Sequence, residues 1–301
     1  MTYTEIQEKK EKKYFYRVKS IKNKGKVSKK RIYLGVNLKQ DKLKKLEREA
    51  DKILNETLNK LLSTQQIQIL NKLKLNFRSL SKQTETNRYE AFVAKFTYDS
   101  NAIEGNTIDL KETSYILFEN RTPPGKSLRE INEVLNHKKA FDFILDYKGD
   151  IDKKFICEIQ KKVVENTLRK DLENQVGKYR NVQVYIRGVD FIPTSSEEVS
   201  MEMRSLIRWY NSNKNKLHPL ILASYFHVAF ESIHPFVDGN GRTGRLLLNF
   251  ILNKNNFPMI NIPNKIKLEY YGCLEEAQSK NNLNPFIQFI YSLIIKDEIL
   301  I

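Results

Sequence analysis

The sequence predicts a mainly α protein with a small, basic, β-containing N-terminal region. Three observations predict it. Apolar residues recur at three- and four-residue steps along most of the 301-residue chain, while β-prone stretches are confined to residues 13–35 and 182–192. Hydrophobic residues make up 40%, with 15 Tyr and 16 Phe, enough to bury a sizeable core. Only 11 Gly and 8 Pro argue against collagen-like or low-complexity architecture.

Residues 13–19 (KYFYRVK) and Lys30 to Gly35 (KRIYLG) flank Asn23-Lys24-Gly25, which is a hairpin signal. From Asp41, the positions Leu43, Leu46, Ala50, Ile53, Leu54, Leu58 and Leu61 carry the period of an amphipathic helix. The polar stretch Arg78 to Asn87 reads as a junction, dividing an accessory region, residues 1–75, from a larger body, residues 76–301. In that body residues 127–147 and 152–168 read as helices, the first with Ile131, Leu135, Ala140 and Phe143 as apolar positions. Val182 to Ile192 (VQVYIRGVDFI) is β-branched and aromatic around Gly188, and reads as a second hairpin. Ser195 to Asn211 is a helix with a Ser-Ser-Glu-Glu start, and His218 to Ile233 is a helix opened by Pro219.

Formal net charge is +16. Residues 1–75 hold 21 Lys or Arg against 8 Asp or Glu, a net of +13, and the rest carries +3. The basic character therefore belongs to the N-terminal region, where a polyanion such as nucleic acid is the partner to weigh. A solvated hairpin and a packing helix are the simpler reading of that region, since no helix-turn-helix signature is present. Cys157 and Cys273 form no CxxC or His/Cys cluster, so neither a zinc site nor a disulfide framework is expected. The N-terminus lacks the apolar core of a signal peptide, and Leu246 to Leu252 is too short to span a bilayer. We expect a soluble, cytoplasmic protein with no membrane partner.

Residues 234–245 read His-Pro-Phe-Val-Asp-Gly-Asn-Gly-Arg-Thr-Gly-Arg, followed at once by the apolar helix LLLNFIL. A Gly-rich turn feeding a helix N-terminus presents unpaired backbone N–H groups, which with the helix dipole make an anion cradle. Gly239 and Gly241 permit close backbone approach, and Arg242 and Arg245 are bidentate donors about one helical turn apart. Asp238 adds a hard oxygen ligand for Mg²⁺ on a polyphosphate. His234 has the near-neutral pKa of a general base that takes a proton from an attacking hydroxyl. With no Ser or Cys beside a base, in-line transfer is favoured over a covalent enzyme intermediate. The residues thus point to a Mg-nucleotide site with a histidine base.

The segment is similar to the Fic motif, HPFx[D/E]GNGRxxR, with every specified position present. The resemblance extends over roughly residues 95–295, through Gly177-Lys178-Tyr179-Arg180, the His218-Pro219 helix, and Tyr270-Tyr271 with Leu274 and Ala277. It implies a Fic-type helical bundle with a β-hairpin flap, and transfer of AMP from ATP to a Ser, Thr or Tyr hydroxyl of a target protein. His234 would activate that hydroxyl and Asp238 would hold Mg²⁺ on the α- and β-phosphates. Gly239, Asn240 and Gly241 would form the anion hole, with Asn240 on the α-phosphate. Arg242 and Arg245, flanking Thr243 and Gly244, would take the distal phosphates. Val189, Asp190 and Phe191 of the flap would lie over nucleotide and target. Tyr270 and Tyr271 match positions lining the adenine side, where Gln278 replaces the family's Asn.

Ser100-Asn101-Ala102-Ile103-Glu104-Gly105-Asn106 is similar to the family's inhibitory motif [S/T]xxxE[G/N], in the subclass whose inhibitory helix, here near 95–110, precedes the Fic core. The resemblance implies that Glu104 pairs with Arg245 and denies ATP its productive pose. In some family members the same Glu orients water for removing AMP, a second activity to test. A homodimer is compatible with the resemblance. From another class, the chain can be read as a nucleotide-sensing, nucleic-acid-binding regulator using its basic N-terminus. A Fic-like kinase is disfavoured by the intact Gly241 and Arg245.

Overall fold

The computed structural model describes residues 2–9, 12–23, 26–77, 82–186, 191–280 and 282–296. Strands β1 (Thr2–Lys9), β2 (Lys12–Asn23) and β3 (Lys26–Val36) form an antiparallel sheet in sequence order. The expected hairpin is β2 with β3, and β1 is added to it, in register Thr4 with Arg17. Its TYTEIQEK sequence mixes β-branched and charged residues on an edge, a weak signal beside that of β2. Helix α1 (Gln40–Asn59) covers one face, where Phe15, Leu34 and Ala50 make a small core. Arg17 ties sheet to helix with two 2.8 Å bonds donated to the Asp51 carboxylate.

Helix α2 (Thr64–Phe77) and α3 (Lys82–Ile103) follow. Residues 82–87, expected in a junction, belong to α3, and they hold neither Gly nor Pro; residues 78–81 of that junction lie outside the described residues. Packing also crosses the boundary expected at residue 75. Leu58, Leu62 and Leu70 join the same core as Phe92, Phe96 and Phe286, and Gln66 donates to Gln288 at 2.6 Å.

The body continues with α4 (Leu110–Phe118), α5 (Leu128–Asp146), α6 (Lys153–Val164), α7 (Val199–Asn213), α8 (Pro219–Ile233), α9 (Asn240–Lys254), α10 (Lys267–Ser279) and α11 (Asn284–Lys296). Capping residues place several starts. Ser127 and Glu130 close a capping box on α5, Asp152 accepts from Phe155 N on α6, and His218 Nδ1 accepts from Leu220 N on α8. Helix α7 begins later than expected because Ser195 to Glu198 form a turn, with Glu198 N bonded to Ser195 O.

Helices α8 and α9 are buried on all sides: Leu220, Ile221, Leu222, Phe226 and Phe230 face Leu246, Leu247 and Ile251 across one core. Truncating one of these to Ala costs about 2–5 kcal/mol. The turn joining the two helices, residues 234–239, is thus held from both ends by the most buried elements of the fold. No helix among the described residues is long and apolar enough to cross a membrane.

The second expected hairpin differs. Residues 182–186 and 191–192 form no strand, and 187–190 lie outside the described residues. Among the described residues, side chains bond the backbone here: Arg180 donates to Val182 O at 2.8 Å and to Thr194 O, and Gln183 to Val184 O at 3.1 Å.

Candidate active site

Helix α8 ends at His234, whose φ of 51° turns the chain out of the helix. Buried Arg180 fixes this corner by donating to His234 O at 2.8 Å, while Arg180 N donates to Pro235 O at 2.9 Å. Asn240, 3% exposed, donates to Phe236 O at 2.8 Å and accepts from Phe236 N at 2.9 Å. Its amide therefore shapes the loop, where the sequence had expected it to face a phosphate. Gly239 caps α9 with φ 78°, and a Cβ there would stand 2.7 Å from Val164 Cγ1. Gln160 secures the same turn, donating to Asp238 O at 3.1 Å and accepting from Gly177 N at 2.7 Å.

Glu104 stands in the turn that ends α3, with Glu104 N donating to Asn101 O. Its Oε1 accepts from Arg245 Nη2 at 2.7 Å, and a Cβ on Gly241 would collide with that oxygen. A carboxylate thus fills the space over the first turn of α9, where backbone donors and a guanidinium favour an anion. Burial alone would raise the Glu104 pKa, but the Arg245 and Arg242 guanidiniums outweigh it and hold the group below its ordinary value. Arg245, 2% exposed, also donates to Ser100 Oγ at 3.0 Å and to Ser100 O at 2.8 Å.

Arg242 is buried and faces Asp238 and Glu133, each at 3.5 Å. The sequence had placed it on distal phosphates; here its guanidinium is flanked by these two carboxylates. Thr243 is fully buried, and Gly244 lies beneath it against His227 and Glu231. Asp238, 36% exposed, accepts from Gly239 N at 2.6 Å and has Arg129 at 3.7 Å. No group of three His, Cys, Asp or Glu that could hold a metal occurs among the described residues. One accessible carboxylate beside an anion cradle suits Mg²⁺, which is held by one or two carboxylates together with substrate phosphates.

His234 is partly buried, with its Nδ1 shielded from solvent, and burial pushes it down to about 4, with Glu104 pulling the other way. The imidazole is therefore neutral at pH 7, as a base must be.

The adenine-side residues separate. Tyr270 is 1% exposed, packed among Phe286 and Phe289, with its hydroxyl 2.8 Å from His227 Nε2, so it is a core residue. Tyr271 is exposed and donates to Ile103 O at 3.3 Å, beside the Glu104 turn. Gln278 and Phe191 line one cavity of about 600 Å³ with Ile192, Tyr225, Ser232 and Ala277. Val189 and Asp190 lie outside the described residues.

Sequence reasoning missed Arg129 and Glu133, one turn apart on α5, and Glu231. Their signal was charge at i, i+4 or i, i+3 spacing on helices that otherwise read as packing.

Residues 150–252 match the model of the Fic/DOC family. That stretch is similar to a Fic domain. The chain is 38% identical over 197 residues to protein adenylyltransferase Fic of Drosophila melanogaster, covering 64% of this chain and 39% of that protein. It is 35% identical over 201 residues to protein adenylyltransferase fic-1 of Caenorhabditis elegans, covering 65% and 38%. The chain spans less than two fifths of the length of these curated relatives. Among solved structures it resembles a Fic-domain-containing signaling protein from Bacteroides thetaiotaomicron, with TM-score 0.69 and 29% identity over 77% of this chain and 94% of that one. A Caenorhabditis elegans Fic-1 structure gives TM-score 0.68 and 28% identity, covering 86% and 76%.

Proposed function

We propose that the chain is a protein adenylyltransferase, moving AMP from ATP to a Ser, Thr or Tyr hydroxyl of a target protein, and that Glu104 holds it inhibited. The observation that carries the reading is the Glu104 carboxylate over Gly241 and on Arg245, because a carboxylate there stands where a phosphate group of ATP would bind. Gly239 to Gly241 and Arg245 would cradle phosphates, and Asp238 would hold Mg²⁺. When bound, Mg²⁺ supplies charge neutralisation on the polyphosphate. Adenine would enter the cavity lined by Phe191 and Gln278.

His234 removes the proton of the target hydroxyl. The hydroxyl oxygen then bonds to the α-phosphorus, the bond from that phosphorus to the β-phosphate oxygen breaks, and pyrophosphate departs. In the inhibited state Arg245 is engaged by Glu104, so the distal phosphates lose their cation and the α-phosphorus its alignment. Labelled ATP with Mg²⁺ tests the reading: Glu104→Gly labels protein faster than the parent, and His234→Ala abolishes labelling. Label transferred by His234→Ala would sink it.

A second activity is supported by the mutual stabilisation of Glu104 and charge on His234. A carboxylate facing the base can orient water for removing AMP from a modified target. Loss of AMP release in Glu104→Gly separates that role from inhibition alone.

For residues 1–75, the face of the sheet away from α1 carries Tyr14, Tyr16 and Tyr33, with the rings of Tyr16 and Tyr33 5.3 Å apart and Tyr33 55% exposed. Aromatic rows within a region of charge +13 support a single-stranded nucleic-acid partner.

A further inference from the structure

Glu231 lies one turn before His234 on α8, and neither the phosphate cradle nor the clamp on Arg245 uses it. Its side chain is 8% exposed, its Oε1 has no hydrogen-bond partner, and its Oε2 stands 3.7 Å from His234 Nδ1. That nitrogen is also buried and unpartnered. The buried Nδ1 therefore faces the Oε2 end of a carboxyl whose other oxygen is unpartnered, across a gap that a small side-chain rotation closes, as happens when a loose free-enzyme geometry tightens on substrate. The protein also makes room for this carboxyl: a Cβ on Gly244 would collide with Glu231 Oε1.

We propose that Glu231 is the positioning residue of His234, accepting the Nδ1 proton as a carboxylate so that the Nε2 lone pair meets the target hydroxyl. This rests on the proposed role of His234 as base. A neutral imidazole has one N–H to place, and the partner on one nitrogen decides which nitrogen is basic. With Nδ1–H held by Glu231, the hydroxyl O–H bond breaks as Nε2–H forms, and the carboxylate then stabilises the imidazolium. A protonated Glu231 would do the reverse. Its O–H would donate to Nδ1, the imidazole proton would sit on Nε2, and no base would face the hydroxyl.

The groups around Glu231 set which form is present. They are His227 and His234 on α8, Arg245 on α9, Glu104 after α3, and Tyr270 and Tyr271 on α10. Burial pushes Glu231 up to about 8, Arg245 draws it down, and Glu104 pushes it further up. Glu104 therefore opposes ionisation of Glu231 as well as occupying Arg245. Because the active form has Glu231 deprotonated, AMP transfer rises as pH climbs through the region near 8. Removing the Glu104 charge moves that rise to lower pH.

The test uses the full chain carrying Glu104→Gly, with Glu231→Ala and Glu231→Gln added singly. We expect Glu231→Ala to lower kcat about 10- to 100-fold with the KM for ATP unchanged. In Glu231→Gln the amide oxygen still accepts Nδ1–H, part of the rate returns, and the rise near pH 8 disappears. The ¹⁵N shifts of His234 read the tautomer without any reaction: Nδ1–H above the Glu231 ionisation in the parent, Nδ1–H at all pH in Glu231→Gln, a mixture in Glu231→Ala. The ionisation seen in these shifts lies at higher pH in the parent than in Glu104→Gly. An unchanged tautomer in Glu231→Ala overturns the inference, including when the variant is merely less stable. If no AMP is transferred by any variant, the adenylyltransferase reading fails while the shifts still decide the role of Glu231.

Discussion

Arg245 Nη2 lies 2.7 Å from Glu104 Oε1, joining residues 141 positions apart in the chain. The guanidinium is 2% exposed and the carboxylate 36%, so on the proposed reading a phosphate bound for that cation would have to displace the carboxylate. Several consequences can be measured.

Glu104→Gly frees Arg245 and should tighten Mg-ATP binding about tenfold or more. Since ligand that binds only the folded state adds about 1.4 kcal/mol per tenfold gain in affinity, thermal melts with Mg-ATP should show a larger upward shift for Glu104→Gly than for the parent. Equal shifts would mean that the ion pair does not exclude nucleotide.

All four histidines fold in the neutral form. Burial pushes His218 and His234 to about 4 and His227 to about 3, and His137 lies well below its ordinary value. In the unfolded chain each titrates near 6.5. Between about pH 6.5 and 4 the unfolded chain therefore binds more protons, so stability falls as pH drops through that window, by about 1.4 kcal/mol per pH unit per histidine. Urea midpoints from pH 7 to pH 5 check this, and His218→Asn, away from the site, should flatten the slope.

Gly239→Ala forces a left-handed backbone on Ala and places its Cβ 2.7 Å from Val164 Cγ1. The conformation alone costs about 1–2 kcal/mol. A lower urea midpoint with reduced transfer is expected, and an unchanged midpoint would mean that the turn relaxes freely.

Arg180→Ala removes the donor to His234 O, Val182 O and Thr194 O. Orphaned buried carbonyls cost about 1–3 kcal/mol each. Transfer should fall through kcat more than through the KM for ATP, because the residue aims the base and not the phosphates.

The tyrosine-bearing sheet predicts binding of a fluorescent oligonucleotide by the full chain, weakening steeply with salt. Tyr16→Ala with Tyr33→Ala should weaken single-strand binding by about 1–3 kcal/mol per lost stacking contact. Absence of binding at low salt removes this partner.

The parts legible in sequence were those with a short-range signal. The helical period of α1, the cap pair of Ser127 and Glu130, Pro219 at the start of α8, and the Gly-rich turn into α9 each depend on neighbours within four residues. What escaped depended on distance. The packing of Leu58 and Leu70 into the main core, the pairing of Arg242 with Glu133, and the burial of Tyr270 arise from chain folding over tens of residues. Val182 to Ile192 had strand composition, but in its described part Arg180 and Gln183 bond the carbonyls of Val182 and Val184, which no β-propensity registers.

The most direct test of AMP transfer is to incubate Glu104→Gly protein and its own cell lysate with Mg²⁺ and ATP labelled at either the α- or the γ-phosphate. The account predicts α-label on protein hydroxyls, pyrophosphate as the released product, and no α-label with His234→Ala present in addition. Transfer of γ-label to protein with release of ADP would contradict it.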